Sequence, residues 1–167
     1  HSWGDKLLAE SAVKFYAVFD WQPMLSEMRL IKSPNEIRLM QQAGQITAFG
    51  HIKAMQVTRP NRFEYEIESE ILHEFNRHGA RFPSYNSIIA GGDNACILHY
   101  TENDQPLKDG DLVLIDAGCE FAMYAGDITR TFPVNGQFTQ PQREIYELVL
   151  KAQKRAIELL VPGNSIK

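Results

Sequence analysis

The chain contains little cysteine and no long apolar run. Only two of its 167 residues are cysteine, and Cys96 and Cys119 do not form the CxxC pairs typical of zinc fingers. A disulfide framework is therefore not expected, and the composition fits a reducing cytosol. No stretch of 18 apolar residues occurs, and no signal-peptide pattern opens the sequence. We accordingly expect a cytoplasmic protein that does not contact a membrane.

Positive charge is also scarce. Lysine and arginine number 17 against 21 acidic residues, which gives a net charge of −4, and no basic block or stripe is present. Nucleic-acid binding usually requires a positively charged face, so nucleic acid is not expected as a partner. The hydrophobic content of 44% is that of a globular protein, and 167 residues suffice for one domain with a buried core.

The order of apolar patterns and turn residues predicts an α+β fold. Predicted helices run over residues 3–20, 33–57, 63–79 and 139–161, and a connector is expected from Asp20 to Lys32. Predicted strands run over residues 82–90, 95–100, 112–116 and 127–133. Helices followed by several strands and a last helix are typical of an antiparallel sheet with flanking helices.

Two aspartates lie in strand-like sequence, where aspartate is normally depleted. One apolar run leads into Asp116, and another follows Asp127. A hairpin that turns near Phe121 and Ala122 places the two aspartates directly opposite, with Cβ atoms about 5 Å apart. Carboxylates so close repel each other unless a proton or a cation lies between them, so a hard divalent metal is one interpretation of the spacing. Alternatively, Asp116 caps a strand end and Asp127 is a turn residue, with both side chains solvated.

Histidine supplies the next candidate. His99 ends a predicted strand, where an imidazole can hydrogen-bond a substrate carbonyl or transfer a proton near neutral pH. Its alternative role is that of a packed side chain. His51 and His73 are predicted to be surface or packing residues, and His78 to lie at a helix C-terminus. Arg130 falls on the opposite strand face from the aspartates, and we predict a structural salt bridge for it.

Two aspartates do not complete a hydrolytic metal centre. A pair of ions needs roughly four to six protein ligands and a bridging water. The sequence lacks HExxH, and no histidine follows Pro133. The chain begins at His1 rather than Met and ends as a new element starts, so we expect an excerpt that carries half a site. Cys119, beside Asp116, is interpreted as a small, semi-buried filler.

The sequence resembles the Xaa-Pro aminopeptidases (aminopeptidase P), and the bacterial proline-specific enzymes most. The residues that carry this resemblance are Ile97-Leu98-His99-Tyr100, Asp116-Ala117-Gly118 and Tyr124-Ala125-Gly126-Asp127-Ile128-Thr129-Arg130-Thr131-Phe132-Pro133. The similarity extends from about Met28 to the end of the chain. Two further stretches, residues 77–81 and 83–86, strengthen it.

The resemblance implies the N-terminal half of a pita-bread (creatinase/aminopeptidase-like) catalytic domain. Residues 33–167 would form this half, and residues 1–32 would be a linker or the end of an upstream N-terminal domain. Two divalent ions are implied, most often Mn²⁺, with Co²⁺ or Mg²⁺ as alternatives. Asp116 would bind one ion, Asp127 would bridge both, and His99 would contact the substrate and stabilise the transition state. The remaining ligands, one histidine and two glutamates, would come from the second half.

The implied activity belongs to a longer parent protein. It would remove the N-terminal residue from peptides with proline at the second position, and homo-oligomers are expected. The present chain alone is expected to be inactive. Two alternatives stay open: a prolidase-type Xaa-Pro dipeptidase, which shares the aspartate pair, and a non-catalytic pita-bread binding module. The second is disfavoured, because non-enzymatic relatives typically lose the metal-binding carboxylates.

Overall fold

A computed structural model describes residues 20–165, which fall into two compact units divided between Asn35 and Glu36. The first unit contains helix α1 (Gln22–Leu30) where a connector was expected. Pro23 lies in the first turn, where its missing N–H costs nothing, and so it begins a helix rather than ending one. Asp20 Oδ1 accepts a hydrogen bond of 3.0 Å from the Gln22 N–H. The helix expected over residues 3–20 lies, apart from Asp20, outside the described residues.

The remaining elements form an α+β arrangement, as predicted. The helices are α2 (Pro34–Val57), which starts at the boundary, α3 (Glu64–Arg77) and α4 (Gln140–Leu159), with a short 3₁₀ helix at Gly92–Cys96. The strands are β1 (Phe82–Pro83), β2 (Ile88–Gly91), β3 (Leu112–Ala117), β4 (Cys119–Phe121), β5 (Tyr124–Ala125) and β6 (Ile128–Pro133). Between residues 20 and 165, no helix has both the length and the hydropathy needed to cross a bilayer.

Helix α3 ends as the sequence predicts. Gly79 has φ +86°, the left-handed conformation that glycine adopts without strain. Its N–H donates to the Asn76 carbonyl, and the Ala80 N–H donates to the Phe75 carbonyl, each at 3.0 Å. These two bonds form a Schellman motif, which satisfies carbonyls that the helix end would leave unpaired.

The strands form two antiparallel sheets of three strands, ordered β2-β3-β6 and β1-β4-β5. The chain passes from the first sheet to the second at Gly118, between β3 and β4, and returns between β5 and β6. The single hairpin expected from sequence is therefore a long β3–β6 pair whose tip, β4–β5, belongs to the other sheet.

Alternation along β3 separates the core from the site. Val113, Ile115 and Ala117 are fully buried and share one apolar cluster with residues of α2 and α3. Each larger side chain contributes about 1.5–3 kcal/mol through removal from water. Successive strand residues point to opposite faces, so Leu114 and Asp116 project away from that helical core. The strand thus presents a carboxylate on the sheet face that the helices leave uncovered.

Two predicted strands differ from the observed backbone. Residues 82–90 divide into β1 and β2, which belong to different sheets. The strand expected at residues 95–100 is wrong, because the 3₁₀ helix and an irregular loop occupy this region. Gly92 and His99 both have positive φ, 54° and 56°, which interrupts extended backbone on either side of the segment.

Two glycines of α2 provide a matched test of helix packing. A Cβ on Gly50 would lie 2.6 Å from Cε1 of the buried Phe75, whereas a Cβ on Gly44 would have no atom within 4 Å. We expect Gly50→Ala to lower the free energy of unfolding by about 1–3 kcal/mol through overpacking. We expect Gly44→Ala to raise it by about 1 kcal/mol through helix propensity. Urea denaturation followed by circular dichroism measures both, and equal effects would contradict this packing.

Candidate metal centre

The two aspartates lie on one face of the β3–β6 pair but are not directly opposite. Asp116 pairs with Thr129, so the predicted register is wrong by two residues. The chain turns at Ala122 and Met123, whose φ values of 51° and 71° suit a type I′ turn, one residue later than expected. Because side chains alternate with period two, this shift keeps both carboxylates on the same face. Asp127, just before β6, is therefore a diagonal neighbour of Asp116.

One tyrosine hydroxyl joins the two carboxylates. Tyr85 Oη lies 2.6 Å from Asp116 Oδ1 and 3.1 Å from Asp127 Oδ1. Burial, followed by the hydrogen bond to Asp116 and the two negative charges, raises the pKa of Tyr85, so the hydroxyl keeps its proton at neutral pH. Because a hydroxyl carries one proton, only one carboxylate receives it at a time. The oxygens of both aspartates therefore face a common point.

No cation within the described part of the chain balances this pair. Neither aspartate is among the salt bridges formed by residues 20–165. Two converging carboxylate oxygens are the ligand type that hard divalent cations prefer. The same residues contain no group of three or more His, Cys, Asp or Glu that could hold an ion. The aspartates thus fit part of a metal site, and a full coordination shell needs further ligands.

Two glycines bring the aspartate-bearing segments together. A Cβ on Gly118 would overlap the carbonyl oxygen of Gly126, and a Cβ on Gly126 would overlap Oγ1 of Thr47. Ser84 closes the contact, because its N–H donates to the Gly118 carbonyl at 2.9 Å and its Oγ donates to the Gly126 carbonyl at 2.8 Å. Gly126 is adjacent to Asp127, and Gly118 is two residues from Asp116. Both positions are glycine because no side chain fits where these backbones meet.

Helix α2 supports the strand from behind. The buried His51 places Nε2 3.1 Å from the Ala117 carbonyl, and burial lowers its pKa, so the neutral ring donates there from Nε2. It is a packing residue rather than a surface one. Thr47 Oγ1 accepts the Cys119 N–H at 3.1 Å. Burial raises the pKa of the Cys119 thiol, which suits the expected filler role, although the side chain is fully rather than partly buried.

His99 shares a cleft with Asp116. The cleft has a volume of about 300 Å³, and its lining is Ile88, Ala90, Ala95, Cys96, Ile97, Leu98, His99, Leu114, Asp116 and Thr129. His99 lies in a loop instead of at a strand end and is exposed to solvent. The structure therefore brings His99 and Asp116 to one mostly apolar cleft, and the hydroxyl of Tyr85 connects Asp127 to Asp116.

The remaining predictions for charged residues have different outcomes. Arg130 lies on the opposite face from Asp116, as predicted, because it pairs with Ile115. Its predicted salt bridge is wrong for the described part of the chain: the exposed guanidinium donates to the Thr129 carbonyl at 2.8 Å. The residue across the ladder is apolar, so no carboxylate is presented to it. His73 is exposed, as predicted.

Sequence reasoning missed the residues that organise the aspartates. Tyr85 and Ser84 entered only as part of the similarity between this chain and the aminopeptidases, and Thr47 did not enter at all. Tyr85 is 31 and 42 residues from the two aspartates, so no local periodicity connects them. Gly118 and Gly126, which lie close to the aspartates in the sequence, were the one signal in the sequence of a close backbone approach.

Comparison with known proteins identifies the family. The model for metallopeptidase family M24 matches residues 38–167. The chain belongs to metallopeptidase family M24. A Xaa-Pro aminopeptidase of Haemophilus influenzae is 88% identical over 167 residues, which cover all of this chain and 39% of that protein. The M24 chain therefore spans well under half the length of this curated relative.

Solved structures agree with the M24 assignment. The proline aminopeptidase P II of Yersinia pestis matches with a TM-score of 0.87 and 61% identity, over 88% of this chain and 34% of that one. A variant of Escherichia coli aminopeptidase P in complex with substrate matches with a TM-score of 0.87 and 62% identity, over 88% and 33%. The α+β class and the resemblance to bacterial Xaa-Pro aminopeptidases are confirmed.

Two serines of the β1–β2 connection test how the site is held. Ser84 Oγ donates to the Gly126 carbonyl, whereas the buried Ser87 Oγ has no partner within the described residues. We expect Ser84→Ala to lower the free energy of unfolding by about 1 kcal/mol, since one hydrogen bond is lost. Ser87→Ala should leave it unchanged or raise it, because a buried unsatisfied hydroxyl is removed. Chemical denaturation measures both, and the reverse order would contradict the described contacts.

Proposed function

We propose that the longer protein containing this M24 chain is a metal-dependent aminopeptidase that removes the N-terminal residue from peptides with proline at the second position. The observation that carries the proposal is the convergence of Asp116 and Asp127 on one hydroxyl with no cationic partner in the described chain. Asp116 lines an open cleft that His99 also lines. Residues 1–167 alone are proposed to be inactive, since they supply only part of a ligand set.

Each site residue has a proposed role. Asp116 would be a ligand of one divalent ion, and Asp127 would be a ligand of both ions of a pair. When bound, such a pair supplies Lewis-acid polarisation and activates water for hydrolysis of a peptide bond. Tyr85 donates to the carboxylates and fixes their orientation, as outer hydrogen bonds to metal ligands do. His99 lies within the cleft, where its imidazole contacts the substrate and hydrogen-bonds its carbonyl in the transition state.

Manganese is the proposed metal. Carboxylate oxygens suit hard cations such as Mn²⁺ and Mg²⁺, and histidine from the remaining ligand set would favour Mn²⁺ or Co²⁺ over Mg²⁺. The proposed setting is the cytoplasm, in agreement with two free cysteines, one of them exposed. No nucleic-acid or membrane partner is proposed.

The uncovered surfaces support a larger domain. Residues 33–167 are proposed to be the first half of a pita-bread domain, and residues 1–32 a linker or the end of a preceding domain. None of the residues of α4 is buried, although the helix carries Ile145, Leu148, Val149 and Ile157. An amphipathic helix is stabilised by covering its apolar side. The second half of the domain is the proposed cover, with a homo-oligomer as the assembly of the whole protein.

Metal binding is the first test. We expect the protein extended to the length of the Haemophilus relative to bind Mn²⁺ in titration calorimetry. Asp127→Asn should weaken binding at least about tenfold, because a metal-ligand charge is lost. Asp93→Asn is the matched control, since this exposed aspartate lies in the 3₁₀ helix outside the cleft. A folded wild-type protein that binds no divalent ion would overturn the metal proposal.

Activity is the second test. The extended, metal-loaded protein should hydrolyse Xaa-Pro tripeptides, and residues 1–167 should not. Removal of the metal by a chelator should abolish the activity, and added Mn²⁺ should restore it. Hydrolysis confined to Xaa-Pro dipeptides would replace the proposal with a prolidase-type enzyme. A folded, metal-bound protein that cleaves neither would instead be a binding module.

A further inference from the structure

Glu64 is a fully buried carboxylate, 0% exposed, in the first turn of α3. It is absent from the salt bridges of residues 20–165. Burying a charge is costly unless hydrogen bonds replace its hydration. A helix N-terminus also favours a negative group, but this alone does not explain a buried position.

Four donors satisfy the Glu64 carboxylate. Oε1 accepts the Gly91 N–H at 2.8 Å and the Asn94 side-chain amide at 3.0 Å. Oε2 accepts the Tyr100 hydroxyl at 2.7 Å and the Gln105 N–H at 3.0 Å. Burial, and then the hydrogen bond to Glu64, raises the pKa of Tyr100 to about 12, so this hydroxyl remains a donor at neutral pH. Each oxygen thus receives one backbone N–H and one side-chain donor.

The four donors lie on either side of His99 in the loop of residues 91–105. Gly91 and Asn94 precede His99, and Tyr100 and Gln105 follow it, so a single side chain holds both ends of the loop. The middle of the loop has little support of its own: Ile97 is 55% exposed and Leu98 86%. His99 has φ 56°, a conformation that is costly for a residue with a side chain and persists only where the surroundings impose it.

We propose that Glu64 is a positioning residue, whose carboxylate clamps both ends of the 91–105 loop and thereby keeps His99 in place at the cleft. The proposal rests on the proposed function, in which His99 contacts the substrate. Glu64 itself touches neither the cleft nor the aspartates.

Glutamine cannot replace this carboxylate, although it has the same shape. Its amide nitrogen would face either the Gly91 N–H or the Gln105 N–H, because each carboxylate oxygen accepts one of these. The hydroxyl and the Asn94 amide can reorient, but a backbone N–H cannot. Either orientation of Glu64→Gln therefore sets the amide group against one fixed backbone N–H and releases that end of the loop.

The kinetic test uses the full-length, metal-loaded protein and a Xaa-Pro tripeptide. We expect Glu64→Gln to lower kcat/KM at least about tenfold in the wild-type background and less than about twofold in a His99→Ala background. Glu70→Gln is the control, because Glu70 lies on the same helix but contacts Lys53 and Arg62 instead. An equal loss in both backgrounds would show that Glu64 does not act through His99 and would overturn the proposal.

A milder variant repeats the kinetic test, and hydrogen exchange tests the clamp independently of activity. Tyr100→Phe removes one donor and leaves the carboxylate, so it should lower kcat/KM by less than Glu64→Gln does. This loss, too, should be smaller in the His99→Ala background than in the wild-type background. Hydrogen exchange should show that the Gly91 amide or the Gln105 amide, whichever faces the new NH2 group, loses protection in Glu64→Gln, while the Ile115 amide in β3 remains protected. Unchanged exchange at both loop ends would contradict the clamp. A wild-type protein without Xaa-Pro hydrolysis would defeat the proposed function, while the exchange measurement still decides the clamp.

Discussion

The contact between the backbones at Gly118 and Gly126 is the constraint on which the site depends. It allows one pair of antiparallel segments to leave the β2-β3-β6 sheet and continue in the β1-β4-β5 sheet. A Cβ on Gly118 would overlap the opposing carbonyl, so the two segments would separate with any other residue there. The aspartates flank this crossing, and their mutual position follows from it rather than from direct cross-strand pairing.

Two acidic sites in the same unit differ in how many hydrogen-bond donors their carboxylates receive. Glu64 is buried and receives four hydrogen bonds, so its negative charge is satisfied within the described fold. Asp116 and Asp127 share one hydroxyl proton, and Asp116 lines a cleft. A carboxylate whose lone pairs are all occupied is structural, whereas a pair with few donors can still bind a cation. This contrast separates the residues that build the site from those that act in it.

The distribution of apolar surface agrees with a partial domain. One face of β3 packs against two helices, and the other face carries Asp116 beside a small cluster that includes Ile88, Ala90 and Tyr100. Helix α4 has no buried residue. This chain spans 39% of the Haemophilus influenzae relative, which agrees with apolar surfaces that further chain would cover.

Local patterns in the sequence determined the approximate ends of α2, α3 and α4, the alternation of β3 and the shared face of the aspartates. They also sufficed for the resemblance to the aminopeptidases, since that rests on contiguous residues. The tertiary structure alone decided the register of β3 with β6, the loop at His99, and the roles of Tyr85 and Glu64. Register depends on where the chain can turn, here at Ala122 and Met123. Contacts across dozens of residues depend on packing, which no spacing rule encodes.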